Sequence, residues 1–238
     1  MKPKSNNLFH FTKNLEVLKL ILQNGIQPRY CKEDFRWFTP IDDDYVSYPM
    51  ACFCDIPLSR VSAHTDFYGN YGIGLSREWG LRNGLSPVIY CPDNNYVVQL
   101  ANMMVATNCF NEEYEKKSGY LATKLFSFIK PLEGNMVILG EIVEKDFYQE
   151  SEWRFVPKLD DVLFEDEYES QIHERNKLVE EYALQFTPSD IRYIFVRSDN
   201  DIPVLVDFIY QCLGQYPHND LKILMSRIVS LDTLKLDL

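Results

Sequence analysis

The apolar runs of this chain are short and bunched, and that spacing limits the folds open to it. Residues 8–11, 50–56, 71–75 and 88–91 each read as a strand, with amphipathic helices between only some of them. Runs at 136–143, 153–156 and 191–196 read the same way. Strands that cluster rather than alternate regularly with helices predict an α+β fold, not a doubly wound α/β sheet. No internal repeat or low-complexity linker divides the 238 residues, so a single domain over 1–238 is expected.

The helical pieces carry their own punctuation. Leu15, Leu18 and Leu22, with Ile21 beside them, form an apolar stripe that Gly25 ends, and Thr12 is the expected N-cap. Pro57 opens a short helix through His64, and Ser76 caps another through Trp79. Residues 96–129 read as mostly helical with a break at 117–119. Further helices are expected up to Leu184, over 204–213 and from Asn219, with a last strand after them. Residues 40–49, around Asp42, Asp43 and Asp44, read as an acidic loop. The stretch 160–170 holds six acids and no base, which predicts a solvated segment.

Charge then narrows the function. With 24 basic and 35 acidic residues the net charge is −11, which opposes broad, sequence-independent binding to a nucleic-acid backbone. No apolar run reaches the length of a membrane helix, so a soluble cytoplasmic protein is expected. Cys31, Cys52, Cys54, Cys91, Cys109 and Cys212 form no CxxC pair, which fits reduced thiols.

Two groups of residues could carry chemistry. His10 and Thr12 lie two apart on the first strand and share a face, where both can hydrogen-bond a ribose; the default reading is a His bonded to a backbone carbonyl. Glu150, Glu152 and Arg154 follow the same alternation, with Trp153 and Phe155 facing away. A carboxylate beside a guanidinium stays ionised and can stabilise an oxocarbenium-like centre; the default reading is a same-face salt bridge. In the middle segment CFCDIPLSRVSAHTDFYGNYGIGLSREWG, the Gly69, Gly72, Gly74 order does not match a phosphate loop and fits a close backbone approach. Tyr68 and Tyr71 could stack on a planar ligand, with aromatic core as the default. Cys52, Cys54 and His64 match no standard zinc spacing, so no metal is expected. His173 and His218 read as surface residues without a role.

The order LFHFTKNLEVLKLILQNGIQPRY, then the middle segment, then GLSPVIY and SEWRF, resembles the AbiGi family of bacterial abortive-infection proteins. The likeness spans residues 8–157 and fades in 158–238, which reads as a mostly helical addition with one or two strands. It implies a role in phage resistance, as the antitoxin that restrains a nucleotidyltransferase-like toxin. The H-x-T strand with its following helix also resembles the opening of ADP-ribosyltransferase-type folds, which implies a mixed or antiparallel sheet core. That second likeness implies NAD as cofactor, with His10 and Thr12 on its ribose, Tyr68 or Tyr71 by nicotinamide, and Glu152 or Glu150 supporting glycosidic cleavage. Arg154 would lie beside that Glu, and Arg29 or Arg77 would supply pyrophosphate donors. Such an enzyme would lose activity on Glu152→Gln with little loss of stability.

Overall fold

The computed structural model describes residues 5–37, 43–92, 95–106, 112–138, 141–159 and 161–237. Strand β1 (Asn7–Thr12) leads into helix α1 (Leu15–Asn24), whose inner face buries Leu18, Ile21 and Leu22. The N-cap of α1 is Asn14, whose side chain accepts from the Val17 amide, and Thr12 instead ends β1. A cap must sit directly before the first helical residue, and Thr12 lies too far upstream. Gly25 closes the helix at φ 85°, a conformation that glycine adopts without strain.

After α1 come β2 (Arg29–Asp34), β3 (Tyr45–Cys54), α2 (Val61–Tyr68), β4 (Tyr71–Ser76) and α3 (Arg77–Arg82). They are followed by β5 (Ser86–Pro87), β6 (Ile89–Cys91), α4 (Tyr96–Ala106), α5 (Glu112–Phe126) and β7 (Ile129–Pro131). Next are β8 (Glu133–Ile138), β9 (Glu141–Asp146), β10 (Glu152–Phe155), β11 (Leu163–Phe164) and α6 (Glu165–Leu178). The remaining elements are β12 (Ile191–Val196), α7 (Asp201–Cys212), α8 (His218–Met225), β13 (Ile228–Ser230) and α9 (Leu231–Leu234). The architecture is α+β, as the bunched strands predict.

Several local expectations change. Tyr45 to Pro49 belong to β3 rather than to an acidic loop, while Pro40 and Asp42 lie outside the described residues. Helix α5 runs unbroken through Lys117, Ser118 and Gly119, because flanking helix formers outweigh one interior glycine. The run 136–143 is two strands, β8 and β9, paired antiparallel. Helix α6 stops at Leu178, short of Leu184. Strand β2 had no sequence signal, since RYCKED is polar. Cys109 and Asp160 lie outside the described residues.

The chain gathers into two compact units, each assembled from separated segments. The first takes Met1–Gln27, Cys52–Leu85 and Ala183–Leu238. Its sheet is mixed: β12 and β13 are parallel, whereas β12–β4 and β4–β1 are antiparallel, and Phe9 of β1 faces Cys54 of β3. Phe9, Cys54, Ile56, Val61, Phe195 and Leu231 pack as its core. Ser76 caps α3 as expected and sets Trp79 deep in this unit. The second unit takes Pro28–Ala51 and Ser86–Tyr182. There β3 lies between β2 and β11, β6 and β7 run parallel, and β10 pairs with β5.

The glycines of the middle segment serve close approach. A Cβ on Gly72 would come within 2.6 Å of the His10 carbonyl oxygen, and one on Gly69 within 2.3 Å of that of Thr12. Gly69 also sits at φ 113°, where side chains are strained. Gly69→Ala is therefore expected to destabilise the protein by roughly 1–3 kcal/mol, read as a lower urea midpoint. An unchanged midpoint would mean that the α2–β4 turn is not constrained in this way.

Candidate functional site

The predicted site residues fall into both units. In the first, His10, Thr12 and Tyr71 share one sheet face: His10 and Thr12 by alternation along β1, and Tyr71 by pairing opposite Thr12. The His10 Nδ1 lies 2.8 Å from the Cys52 carbonyl oxygen, and its ring lies 5.4 Å from that of Phe53. The Tyr71 hydroxyl reaches an Asp201 carboxylate oxygen at 3.4 Å, and Tyr68 stacks on His64 with ring centroids 4.4 Å apart. Arg77 donates to the Asp55 carboxylate and to the Ser5 carbonyl.

Burial holds the His10 ring below the usual histidine range, and its bond to Cys52 offsets that only in part. The unfolded chain thus takes up a proton near pH 6.5 that the folded chain refuses, so stability is full above that pH. It falls as pH drops below 6.5, until the folded ring also protonates. His10→Gln is expected to flatten this part of the pH profile of the urea midpoint. A variant that keeps the full wild-type slope would locate the proton uptake elsewhere.

The second unit holds Glu150, Glu152 and Arg154. Strand β10 places Glu152 and Arg154 on one face, as alternation predicts, but Glu150 ends a 3-10 turn and is separated from the strand by Ser151 at φ 47°. Lys130 of β7 nevertheless reaches both acids, at 2.9 Å from Glu150 and 3.1 Å from Glu152. Arg154 donates through Nε to one Glu152 oxygen at 2.7 Å and through Nη2 to the other at 3.0 Å. The same guanidinium binds Glu33 at 2.8 Å and the Ser127 carbonyl at 2.7 Å, while Lys145 closes on Glu150 at 2.6 Å. The Glu152 amide donates to the Tyr90 hydroxyl oxygen at 2.7 Å.

Three carboxylates thus meet three cations, and nearly all of them are inside. The side chains of Arg154, Glu152 and Lys130 are 0%, 8% and 9% exposed. At that depth an ion pair is governed by desolvation, not by surface screening. Burial opposes the charge on Lys130, but Glu152, Glu33 and Glu150 outweigh it and hold the ammonium above the usual lysine range. Burial likewise opposes the Glu150 carboxylate, and Lys130 with Lys145 keeps it below the usual range. Lys145 moves the other way, because burial dominates its single strong partner. These directions hold Lys130 and Glu150 in their charged forms at neutral pH.

Sequence reasoning missed Lys130, Lys145 and Glu33. A lysine alone in the apolar run FSFIKPL was the one available hint, since such a residue is buried only when paired. Glu33 and Lys130 also line a cleft of about 330 Å³ in this unit, together with Lys32, Phe147 and Tyr168. Among the described residues no group of three or more His, Cys, Asp or Glu side chains is placed to hold a metal ion. No described helix is long and apolar enough to cross a membrane.

A family model described as "Putative abortive phage resistance protein AbiGi, antitoxin" matches residues 24–197. The chain belongs to the AbiGi family. An abortive phage resistance protein AbiGi from Lactococcus lactis subsp. cremoris is 30% identical, over 96% of this chain and 97% of that one. No solved structure matches. The AbiGi match covers Glu33, Lys130, Lys145, Glu150, Glu152 and Arg154, so the whole ion network lies inside it, whereas His10 and Thr12 lie before it.

Proposed function

We propose that this chain acts in abortive phage resistance as an antitoxin, binding and restraining a nucleotidyltransferase-like toxin. The family description carries the antitoxin role. The observation on the molecule that favours binding over catalysis is the state of Glu152. Both of its oxygens are taken up by Arg154 and Lys130, in a network where charges balance. A carboxylate that must stabilise a developing cation needs an unspent charge facing the substrate. Here that charge is spent on neighbours. The test is growth rescue: the toxin gene is induced with and without this chain, and the chain restores colony formation. Continued growth arrest, with the chain expressed and folded, contradicts the reading.

A second reading, an NAD-dependent ADP-ribosyltransferase-like enzyme, is favoured by one placement. His10, Thr12 and Tyr71 share a sheet face in the first unit, where a ribose could be held. Calorimetric titration with NAD separates the two readings. Binding that His10→Ala abolishes supports the enzyme, and a flat titration at millimolar NAD supports the antitoxin.

A further inference from the structure

The cleft of the second unit has the furnishings of a ligand site that neither reading uses. Three aromatic side chains line it, Tyr45, Phe147 and Tyr168, and two ammonium groups stand on two of those rings. Lys32 Nζ lies 3.9 Å from the Tyr168 centroid, and Lys130 Nζ lies 4.2 Å from that of Phe147. We propose that this cleft binds a nucleoside monophosphate, with the phosphate on Lys32 and Lys130 and the base among the three rings.

The charges permit it. The cleft's two acids are already committed: Glu33 is held by Arg154, and Asp34 by Arg36 and the Asn135 amide. They therefore present little free negative charge to an arriving anion. Lys130 uses two of its three donors on Glu150 and Glu152, which leaves one. The Lys32 partner is Glu169, at 3.4 Å and with its side chain 86% exposed, a pairing that water and a phosphate readily replace.

The remaining polar groups fit a nucleoside better than a simple anion. Among the described residues the hydroxyls of Tyr45 and Tyr168 and the side-chain amide of Asn135 have no hydrogen-bond partner. An amide both donates and accepts, as the edge of a base requires, and a phenol can meet a ribose hydroxyl. Aromatic faces stack on any base, so the rings supply affinity and the polar groups supply selectivity. The volume of about 330 Å³ lies at the small end of ligand sites, which suits one nucleotide and not two.

Calorimetry on the full chain with AMP, GMP, CMP and UMP tests this. At least one is expected to bind with Kd below about 1 mM, at least tenfold tighter than inorganic phosphate. Lys32→Ala and Tyr168→Leu are each expected to weaken that binding at least about tenfold while circular dichroism stays native. If Tyr168→Leu unfolds, Asn135→Ala at its half-buried position takes its place with the same expected loss. The proposal is overturned if none of the four binds at millimolar concentration, or if phosphate alone binds as well as they do. It is equally overturned if the nucleotide still binds unchanged when these cleft residues are replaced in a folded protein. None of these results bears on growth rescue, so the antitoxin reading stands or falls separately.

Discussion

Arg154→Met is expected to destabilise the protein by about 3–5 kcal/mol, read as a large drop in the urea midpoint. Methionine is close to arginine in volume and packs well in a core, so volume is not what is lost. The loss is electrostatic. Arg154 is fully buried and binds Glu152 through two nitrogens, Glu33 through one, and the Ser127 carbonyl through the third. Without it, Glu33 and Glu152 lose the guanidinium they share, so buried negative charge goes undercompensated. A lysine there would keep the charge yet lose the fork, so Arg154→Lys is expected to recover only part of the loss. A cost below about 1 kcal/mol would mean that the pair behaves as a solvated surface bridge.

Trp79→Ala is expected to cost a similar amount, about 3–5 kcal/mol, for a different reason. Trp79 is wholly buried in the first unit, with Phe53 at 5.7 Å and Phe186 at 6.5 Å between ring centroids. Its indole N–H donates to the Gln185 carbonyl oxygen at 3.0 Å. Alanine would leave a cavity and take away the donor of the Gln185 carbonyl. Trp79→Phe keeps most of the packing but not the hydrogen bond, so it is expected to cost clearly less. Equal losses for both variants would show that the hydrogen bond, not the packing, dominates.

How much of this was legible beforehand depends on range along the chain. The buried stripe of α1, the Ser76 cap and strand β12 follow from local pattern, and each stands where spacing put it. The shared face of Glu152 and Arg154 was legible too, because alternation along a strand is local. Their role was not. Whether a salt bridge is exposed or buried depends on what covers it, and the cover here is Lys130 and Glu33, more than twenty and more than one hundred residues away. Alternation alone puts Glu150 on the strand face, because nothing in YQESEW announces a left-handed Ser151. Strand β2 was invisible for a related reason: only Tyr30 in it is buried, and its polar residues serve the ion network and the cleft.

The same burial overturns one expectation about mutagenesis. Glu152→Gln, nearly isosteric, looks harmless to stability from the sequence alone. In the fold it removes the anion shared by Arg154 and Lys130, so loss of function in that variant would not by itself mark a catalytic residue. His10 is the cleaner probe, since it bonds a backbone carbonyl and carries no ion pair in this network.

Growth rescue by His10→Ala is the sharpest test of the proposal that the chain neutralises a partner rather than consuming NAD. With protein levels matched, wild type and His10→Ala are expected to restore growth equally when the toxin is induced. A folded His10→Ala protein that fails while wild type succeeds would contradict it, and would place the working site on the first strand.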